Sequence, residues 1–354
     1  MKTYRQSLDE LHFTREEKNA MADRLTAGES RGGGKVRSIR RTVAVGVAAA
    51  LLMTMGVGAA VTLTPAGEVF ASVFGGAPAQ TEIMDRMGVP IGASDTSGGV
   101  TITADAIIGD TYSYAVVYSI ARDDGQPLAE DLTPLGGTDG TLPLTFDQSD
   151  TFIRMLGGSH GSAYFYDADP TDAAIQYVVM MTMDTPIEPG TATATFQNLY
   201  LCSEDARDRT LLAEGNWKIR FQFNFPDSGV SLDAGQTFQL SGMEATLDGV
   251  TISPLSIQVG YTVWEELVWD HQDQADGQMS EHDREQSYRF FESLPVTVNF
   301  TDGTALDLSG NGGGIRPEDG KTVCQKGRVF EEILDLSTVE SVTVGDVTLP
   351  VEAE

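Results

Sequence analysis

The sequence predicts a mainly β protein with two antiparallel β-sandwich domains that follow a single transmembrane helix and a short helical arm. Three observations predict this. Residues 43–63 form one uncharged run, many short segments after residue 96 alternate apolar and polar residues, and Gly, Asp and Pro turns separate those segments. Many short strands joined by such turns favour sandwiches over an α/β enzyme.

The uncharged run VAVGVAAALLMTMGVGAAVTL fills residues 43–63, with Thr54 and Thr62 as its polar members. As a helix it would be about 32 Å long, which is enough to cross a bilayer core of about 30 Å. Four basic residues precede it, namely Lys35, Arg37, Arg40 and Arg41, and the next basic residue is Arg86. The positive-inside rule then predicts a cytoplasmic N-terminus and an extracellular C-terminal part, in a single-pass protein of the plasma membrane.

A cleaved signal peptide is the alternative interpretation of the same run. Small residues follow it, including Val69-Phe70-Ala71, which has the appearance of a cleavage site. The 42 residues before the run are much longer than an ordinary charged n-region, so a retained anchor is favoured. Both interpretations combine in an anchor that is later cut near Ala71.

The arm over residues 1–42 has the pattern of one or two amphipathic helices on a basic linker. Leu8 and Leu11 share one helical face, and Met21 and Leu25 share another after the capping box that begins at Thr14. Helices this short are marginal alone in water. We therefore expect these four apolar residues to contact a protein partner, with a loosely ordered tail as the alternative.

Residues 64–95 are rich in Pro, Gly and Ala and are expected to form an extracellular stalk. Domains are expected at 96–226 and 236–352, divided by a turn-rich segment. The clearest strand is Trp217–Phe225, where aromatic or aliphatic residues alternate with polar ones. A helix is expected at 282–292, inside an acidic insertion that begins with Trp264 and Trp269.

Charge is divided unevenly along the chain. Residues 1–42 hold 10 Lys/Arg and 6 Asp/Glu, whereas the rest holds 13 and 46. An acidic surface of this kind repels nucleic acid and is typical of a soluble domain or of one that binds a basic ligand. The two cysteines, Cys202 and Cys324, are too few for a disulfide framework; both a single bridge and two free thiols stay open.

Enzyme chemistry has weak support. Gly157-Gly158-Ser159-His160-Gly161 matches G-x-S-x-G, but the following SAYFYD predicts a strand where a nucleophile elbow needs a helix. Gly310–Gly314 lacks the Gly-Lys-Ser/Thr of a phosphate loop and is expected to be a flexible loop. We therefore expect no catalytic residue, and no cofactor is implied.

The acidic insertion does not form an EF-hand, because Gln272 and Gln274 occupy ligand positions when Gly277 is placed at position 6. An irregular metal site stays as an alternative, and a solvated loop is preferred. Trp264 and Trp269 beside it are expected to pack in a core at least in part, with a binding surface as the alternative.

The order of these parts resembles a family of Gram-positive membrane proteins of the DUF-4179 type. The resemblance lies in Tyr4-x-x-x-Leu8-x-x-Leu11 with Phe13-Thr14-x-Glu16-x-Lys18-x-x-Met21, in Gly99–Ile107 with Tyr114–Ile120, and in Val250–Pro254 with Ile257–Tyr261. It implies an Ig-like C-terminal domain and an anti-sigma-factor-like role. The arm has no His-x-x-x-Cys-x-x-Cys zinc motif, so a sigma factor would be held by apolar and electrostatic contacts.

The expected function is thus a membrane-anchored signalling regulator. Its arm would bind a sigma factor or another cytoplasmic regulator, its span would enter the lipid bilayer, and its β domains would sense an envelope signal. The alternative is a cell-surface adhesion, ligand-binding or scaffold protein without a regulatory role. The sequence names no extracellular ligand.

Overall fold

The computed structural model describes residues 63–129, 132–135, 140–153, 157–203, 208–270 and 279–352. Strands dominate this part of the chain, and every strand pairing in it is antiparallel. The expectation of a mainly β protein is therefore confirmed. The strands form two groups, the first β half (Gly88–Phe223) and the second β half (Val230–Pro350), within one compact unit.

The first β half contains two sheets that share one core. A five-stranded sheet has the order β1-β2-β3-β6-β5, and a three-stranded sheet has the order β4-β7-β8. The strands are β1 (Gly88–Ser97), β2 (Val100–Gly109), β3 (Ser113–Arg122), β4 (Leu144–Phe152), β5 (Ser159–Tyr166), β6 (Ile175–Met183), β7 (Gly190–Cys202) and β8 (Arg209–Phe223). Trp217 of β8 is buried between the sheets, and its Nε1 donates to the carbonyl oxygen of Val100 at 2.8 Å.

The second β half also has two sheets around one core. The larger sheet has the order β10-β11-β12-β16-β15 with β9 beside β11, and the smaller has the order β14-β13-β17-β18. The strands are β9 (Val230–Leu232), β10 (Thr237–Leu240), β11 (Met243–Ile252), β12 (Ser256–Val263), β13 (Val296–Phe300), β14 (Ala305–Asp307), β15 (Gly313–Glu318), β16 (Lys321–Val329), β17 (Val339–Val344) and β18 (Val347–Pro350).

Two helical segments lie within the second β half. Helix α3 (Glu281–Ser287) continues into a π-helical turn, Tyr288–Glu292, which agrees with the helix expected at 282–292, and a 3₁₀ turn covers Leu336–Thr338. Ser280 caps α3 by accepting a hydrogen bond from the backbone N–H of Asp283 at 3.0 Å. Lys326 is buried below the π-helical turn and donates to the carbonyl oxygens of Phe291 and Leu294 at 3.1 and 3.0 Å.

The segment expected as a stalk is folded. Residues 64–95 form α1 (Ala66–Phe74), α2 (Pro78–Met87) and most of β1. Both helices have apolar residues at helical spacing, and these are buried on the outer face of the five-stranded sheet. The high content of Pro, Gly and Ala suggested a stalk, but two of these residues mark helix ends. Pro78 begins α2 at a favoured first-turn position, and Gly75 ends α1.

The predicted transmembrane segment, 43–63, lies outside the described residues except for Leu63. No described helix is long and apolar enough to cross a bilayer. The membrane span and the orientation set by Lys35, Arg37, Arg40 and Arg41 stay predictions. The same holds for the arm residues Leu8, Leu11, Met21 and Leu25, which also lie outside the described ranges.

Candidate functional site

The two β halves contact each other through a shared apolar cluster, and we call this contact the junction. It consists of α1, α2, the outer face of the five-stranded sheet and the Leu255 and Ile333 side chains of the second β half. Phe70 and Phe74 of α1 are buried there, and the backbone N–H of Ile333 donates to the carbonyl oxygen of Phe74 at 3.1 Å. The chain that follows residue 63 thus contacts both β halves at once.

Close packing holds α1 against α2. The backbone N–H of Gly67 donates to a carboxylate oxygen of Asp85 at 2.7 Å. A Cβ at Gly67 would lie 2.4 Å from the carbonyl oxygen of Thr81, and a Cβ at Gly88 would lie 2.4 Å from the Cβ of Ala66. Glycine is therefore required at both positions for the helices to approach each other and β1 this closely.

Asp110 is a buried carboxylate at the junction, only 3% exposed. Its Oδ1 accepts the backbone N–H groups of Tyr112 and Ser113 at 2.9 and 2.8 Å. Its Oδ2 accepts the hydroxyls of Ser253 and Ser256 from the other β half, the second at 2.6 Å. Burial raises the pKa of Asp110, while these four donors act in the opposite direction by stabilising the ionised form.

The junction extends beyond the helices along the edge of the first β half. The Nε2 of His160 lies 3.1 Å from the carbonyl oxygen of Gly327 in β16. The side chain of Val329, also in β16, packs against the same apolar cluster as the helices. A displacement of one β half relative to the other would therefore disturb the packing of α1, which the sequence places directly after the apolar run 43–63.

A second feature is an exposed hydrophobic surface on the second β half, which we call the aromatic surface and define as Trp264, Val268, Met279 and Tyr288. These side chains are 51%, 60%, 54% and 58% exposed. Trp269, by contrast, packs against the second core. Of the two tryptophans singled out in the sequence, one thus contributes to packing and the other to the surface.

Specific contacts hold the two limbs of the aromatic surface, 264–270 and 279–292, to β11 and to each other. The indole Nε1 of Trp264 donates to the Thr246 hydroxyl at 2.9 Å. The Arg289 guanidinium, next to Tyr288, lies 3.7 Å from the Glu265 carboxylate, next to Trp264.

The other ends of the two limbs are held in the same way. Ring Nε2 of His282 lies 2.9 Å from the carbonyl oxygen of Val268. The Ser280 hydroxyl, next to Met279, donates to the Asp270 carboxylate at 2.9 Å. The exposed apolar side chains thus lie on segments that hydrogen bonds and an ion pair hold in place.

Two cavities lie in the first β half. One, of about 300 Å³, opens between its sheets and is lined by apolar side chains such as Leu144, Phe146 and Phe165, with the Ser149 and Tyr177 hydroxyls 3.2 Å apart beside them. The other, of about 290 Å³, lies between Asp110 and Asp227 beside the linker to the second β half. In the second cavity the Thr111 hydroxyl donates to the Asp227 carboxylate at 3.0 Å.

The structure separates the residues considered for chemistry. Ser159 is an exposed residue at the start of β5, so a strand follows it where a nucleophile elbow requires a helix. Gly313 and Gly314 belong to β15 and pair with β16, so the loop expected at 310–314 is partly strand. A Cβ at Gly313 would lie 1.9 Å from the carbonyl oxygen of Gln325, and this close approach accounts for glycine there.

The described ranges contain neither a candidate metal site nor a disulfide bond. No group of three His, Cys, Asp or Glu side chains in those ranges is arranged to hold a metal ion, and His271, Asp273 and Asp276 lie outside them. Cys202 and Cys324 are both free thiols, one half-buried and one buried. Burial raises the pKa of Cys324 to about 12, so this thiol stays protonated and unreactive.

The possible cleavage position, Ala71, lies in the middle of α1 and is half-buried. Proteases bind an extended backbone, so this position is protected while α1 is folded. The sequence pattern of small residues gave no sign of this protection, because the burial of α1 depends on sheet and loop residues far along the chain.

Comparisons with known proteins give one solved structure with a partial likeness. It is described as the crystal structure of the conserved domain protein from Bacillus anthracis, with 18% identity, 73% of this chain and 76% of that chain covered, and a TM-score of 0.43. That description names no activity, ligand or partner. No family model and no curated protein matches the chain.

Proposed function

We propose that this protein is a membrane-anchored signalling regulator of anti-sigma-factor-like type. Residues 1–42 bind a sigma factor in the cytoplasm, residues 43–63 cross the plasma membrane, and two Ig-like β domains sense a signal outside. Leu8, Leu11, Met21 and Leu25 supply the apolar contact with the sigma factor, as amphipathic helices do in a partner's groove.

One observation carries this proposal: the chain that leaves the predicted span is clamped between two β halves. Phe74 is buried against residues from both halves, and its carbonyl oxygen accepts the Ile333 N–H. A plain surface anchor requires only a flexible connection to its domains. A clamped α1 instead gives a route by which a change at the junction reaches the membrane segment.

Proteolysis is the switch that fits this geometry, because a cut near Ala71 would separate the span and its arm from the β halves outside. Opening of the junction removes the contacts that hold α1, and a helix of 9 residues is marginal without them. Ala71 then becomes available in an extended conformation. Signalling would thus begin with separation of the β halves and continue with a cut near Ala71.

The test of the arm is a pull-down from the native host with the tagged full-length chain, followed by mass spectrometry. The double variant Leu8→Asp plus Leu25→Asp is compared with Ser7→Asp plus Thr26→Asp, which adds the same charge at neighbouring positions. We expect a sigma factor with the wild type and the control but not with the apolar-face variant. Recovery that is identical for all three chains contradicts the proposed contact.

The test of the junction uses transcription from the promoters of the captured sigma factor. Ile333→Asp introduces a charge into the buried contact with α1, and Gln222→Asp introduces the same charge at an exposed position of β8. We expect Ile333→Asp alone to raise transcription. An equal response to both substitutions would exclude the junction as the route.

The aromatic surface favours a second candidate function, a cell-surface binding protein whose arm has no regulatory task. Large exposed hydrophobic patches mark interaction sites in soluble domains. Under this alternative, deletion of residues 1–30 leaves transcription unchanged while ligand binding at the surface persists. The two candidates therefore differ in a single transcription measurement.

A further inference from the structure

We propose that the aromatic surface binds a cationic amphipathic peptide, an inference that rests on the proposed function for its consequence in signalling. The described part of the chain exposes seven large hydrophobic side chains, and four of them are the members of this surface. Scattered single residues need no explanation, but a concentration in two adjoining limbs marks an interaction site. Trp, Tyr and Met are also enriched where partners bind.

The surface is prepared for binding. Hydrogen bonds and the Arg289–Glu265 pair already hold both limbs, so little side-chain and loop order has to be gained when a partner arrives. Trp264 adds to this, because its indole is fixed by Thr246 and remains half exposed. A rigid aromatic side chain of this kind is the usual centre of a binding hot spot.

The charge of the two limbs indicates which kind of partner fits the aromatic surface. The described limbs 264–270 and 279–292 contain seven acidic residues, namely Glu265, Glu266, Asp270, Glu281, Asp283, Glu285 and Glu292, against Arg284 and Arg289. Glu281 and Glu285 are exposed one turn apart on α3, and neither forms an ion pair with the described residues. They approach Tyr288 along the same side of the helical segment.

An apolar centre with an acidic rim is complementary to a peptide that has both apolar side chains and positive charge. A second copy of this chain is disfavoured, because each copy has a net charge of −29. An anionic lipid surface is disfavoured for the same electrostatic reason. Cationic amphipathic peptides are therefore the class of ligand that fits the surface best.

The experiment measures binding of a fluorescently labelled peptide to the full-length chain in zwitterionic lipid nanodiscs, with empty nanodiscs as the blank. The probe is a synthetic amphipathic peptide of lysine and leucine, and its counterpart has glutamate in place of every lysine. We expect the lysine peptide alone to bind. Its affinity should fall as salt rises, because the rim charges are screened.

Two pairs of variants locate the binding. Trp264→Ala plus Tyr288→Ala is expected to weaken binding by about tenfold or more, as truncation of a central aromatic residue does, whereas Phe152→Ala, at another exposed aromatic residue, has no effect. Glu281→Lys plus Glu285→Lys is also expected to weaken binding. Its control, Glu188→Lys plus Glu340→Lys, makes the same change in net charge at exposed positions elsewhere.

All four substitution sets alter exposed side chains, and unchanged thermal unfolding verifies the fold. Equal binding of both peptides, an equal loss in the control variants, or no binding of the lysine peptide would overturn the proposal. The regulatory proposal fails separately, when the arm captures no sigma factor. Peptide binding without sigma capture would leave this surface as the ligand site of a cell-surface binding protein.

Discussion

Removal of the Asp110 carboxylate should uncouple the two β halves. Asp110→Ala leaves the Ser113 N–H and the Ser253 and Ser256 hydroxyls without their acceptor, and all three residues are buried. A buried polar group that loses its partner costs about 1–3 kcal/mol. Relief of the carboxylate's own desolvation offsets part of this cost, so we expect a net loss of about 3 kcal/mol.

Asp110→Asn refines the same prediction. The amide oxygen still accepts from the two backbone N–H groups, but its NH₂ then faces two serine hydroxyls that were donors. About half of the loss is expected to remain, and it falls on the contact between the β halves. Asp227→Ala is the matched control, since that exposed carboxylate accepts from Thr111 and Gly229 in the linker. Its expected cost is below about 1 kcal/mol.

The assay is urea unfolding of the full-length chain, followed by tryptophan emission. Trp217 reports on the first core, and Trp269 packs against the second. We expect one transition for the wild type and two for Asp110→Ala, because the halves then unfold independently. If Asp110→Ala has the same midpoint as Asp227→Ala, the reasoning from burial and hydrogen bonding at Asp110 is refuted.

Three further predictions concern buried groups and close packing. Burial raises the pKa of Asp105 to about 6, so its protonated form stabilises the fold below about pH 4 and this contribution is lost as pH rises through about 6. Asp105→Asn should abolish that slope in denaturation measured across this range, and retention of the slope would assign it to other groups. Burial lowers the pKa of Lys326 to about 8, so the wild type should gain stability from about pH 8 to about pH 10, whereas Lys326→Met should show no gain and lose about 2–4 kcal/mol at neutral pH. Gly67→Ala should lower the thermal midpoint despite alanine's better helix propensity, because the new Cβ meets the carbonyl oxygen of Thr81; Gly76→Ala, with its nearest neighbour at 3.7 Å, should be neutral, and equal midpoints would contradict this account of α1.

Local alternation predicted much of the fold. Trp217–Phe223 alternates buried and exposed residues along β8 as expected, because a period of two in sequence is the period of a strand with one wet face. Val296, Val298 and Phe300 also alternate with polar residues, and they form β13, which the Asp302-Gly303 turn joins to β14. In such segments the sequence contains the whole signal, since each residue's burial follows from its position in its own strand.

The misjudged segments depend on distant partners. The sequence predicts a stalk at α1 because residues 64–95 are rich in Pro, Gly and Ala, whereas the burial of Phe70 and Phe74 involves Leu255 and Ile333 far along the chain. The sequence predicts a loop at Gly313 because only the approach of Gln325, which is distant in sequence, explains glycine in a strand there. The sequence gives no signal for Asp110 for the same reason: its serine partners are more than 140 residues away, so no local pattern connects them.

Under the proposed function, the position of the junction constrains how a signal at the aromatic surface would reach the predicted membrane span. Trp264 directly follows β12, whose first residue, Ser256, donates to Asp110. A ligand that shifts this strand by a fraction of a hydrogen-bond length would act on the buried contact at Asp110. That contact tolerates little distortion, because protein interiors respond by repacking rather than by gradual deformation. The same contact lies beside the outer face on which α1 packs. Under the proposed function, this strand connects the aromatic surface with Asp110 and would link ligand binding to exposure of Ala71, with no motion required inside the membrane.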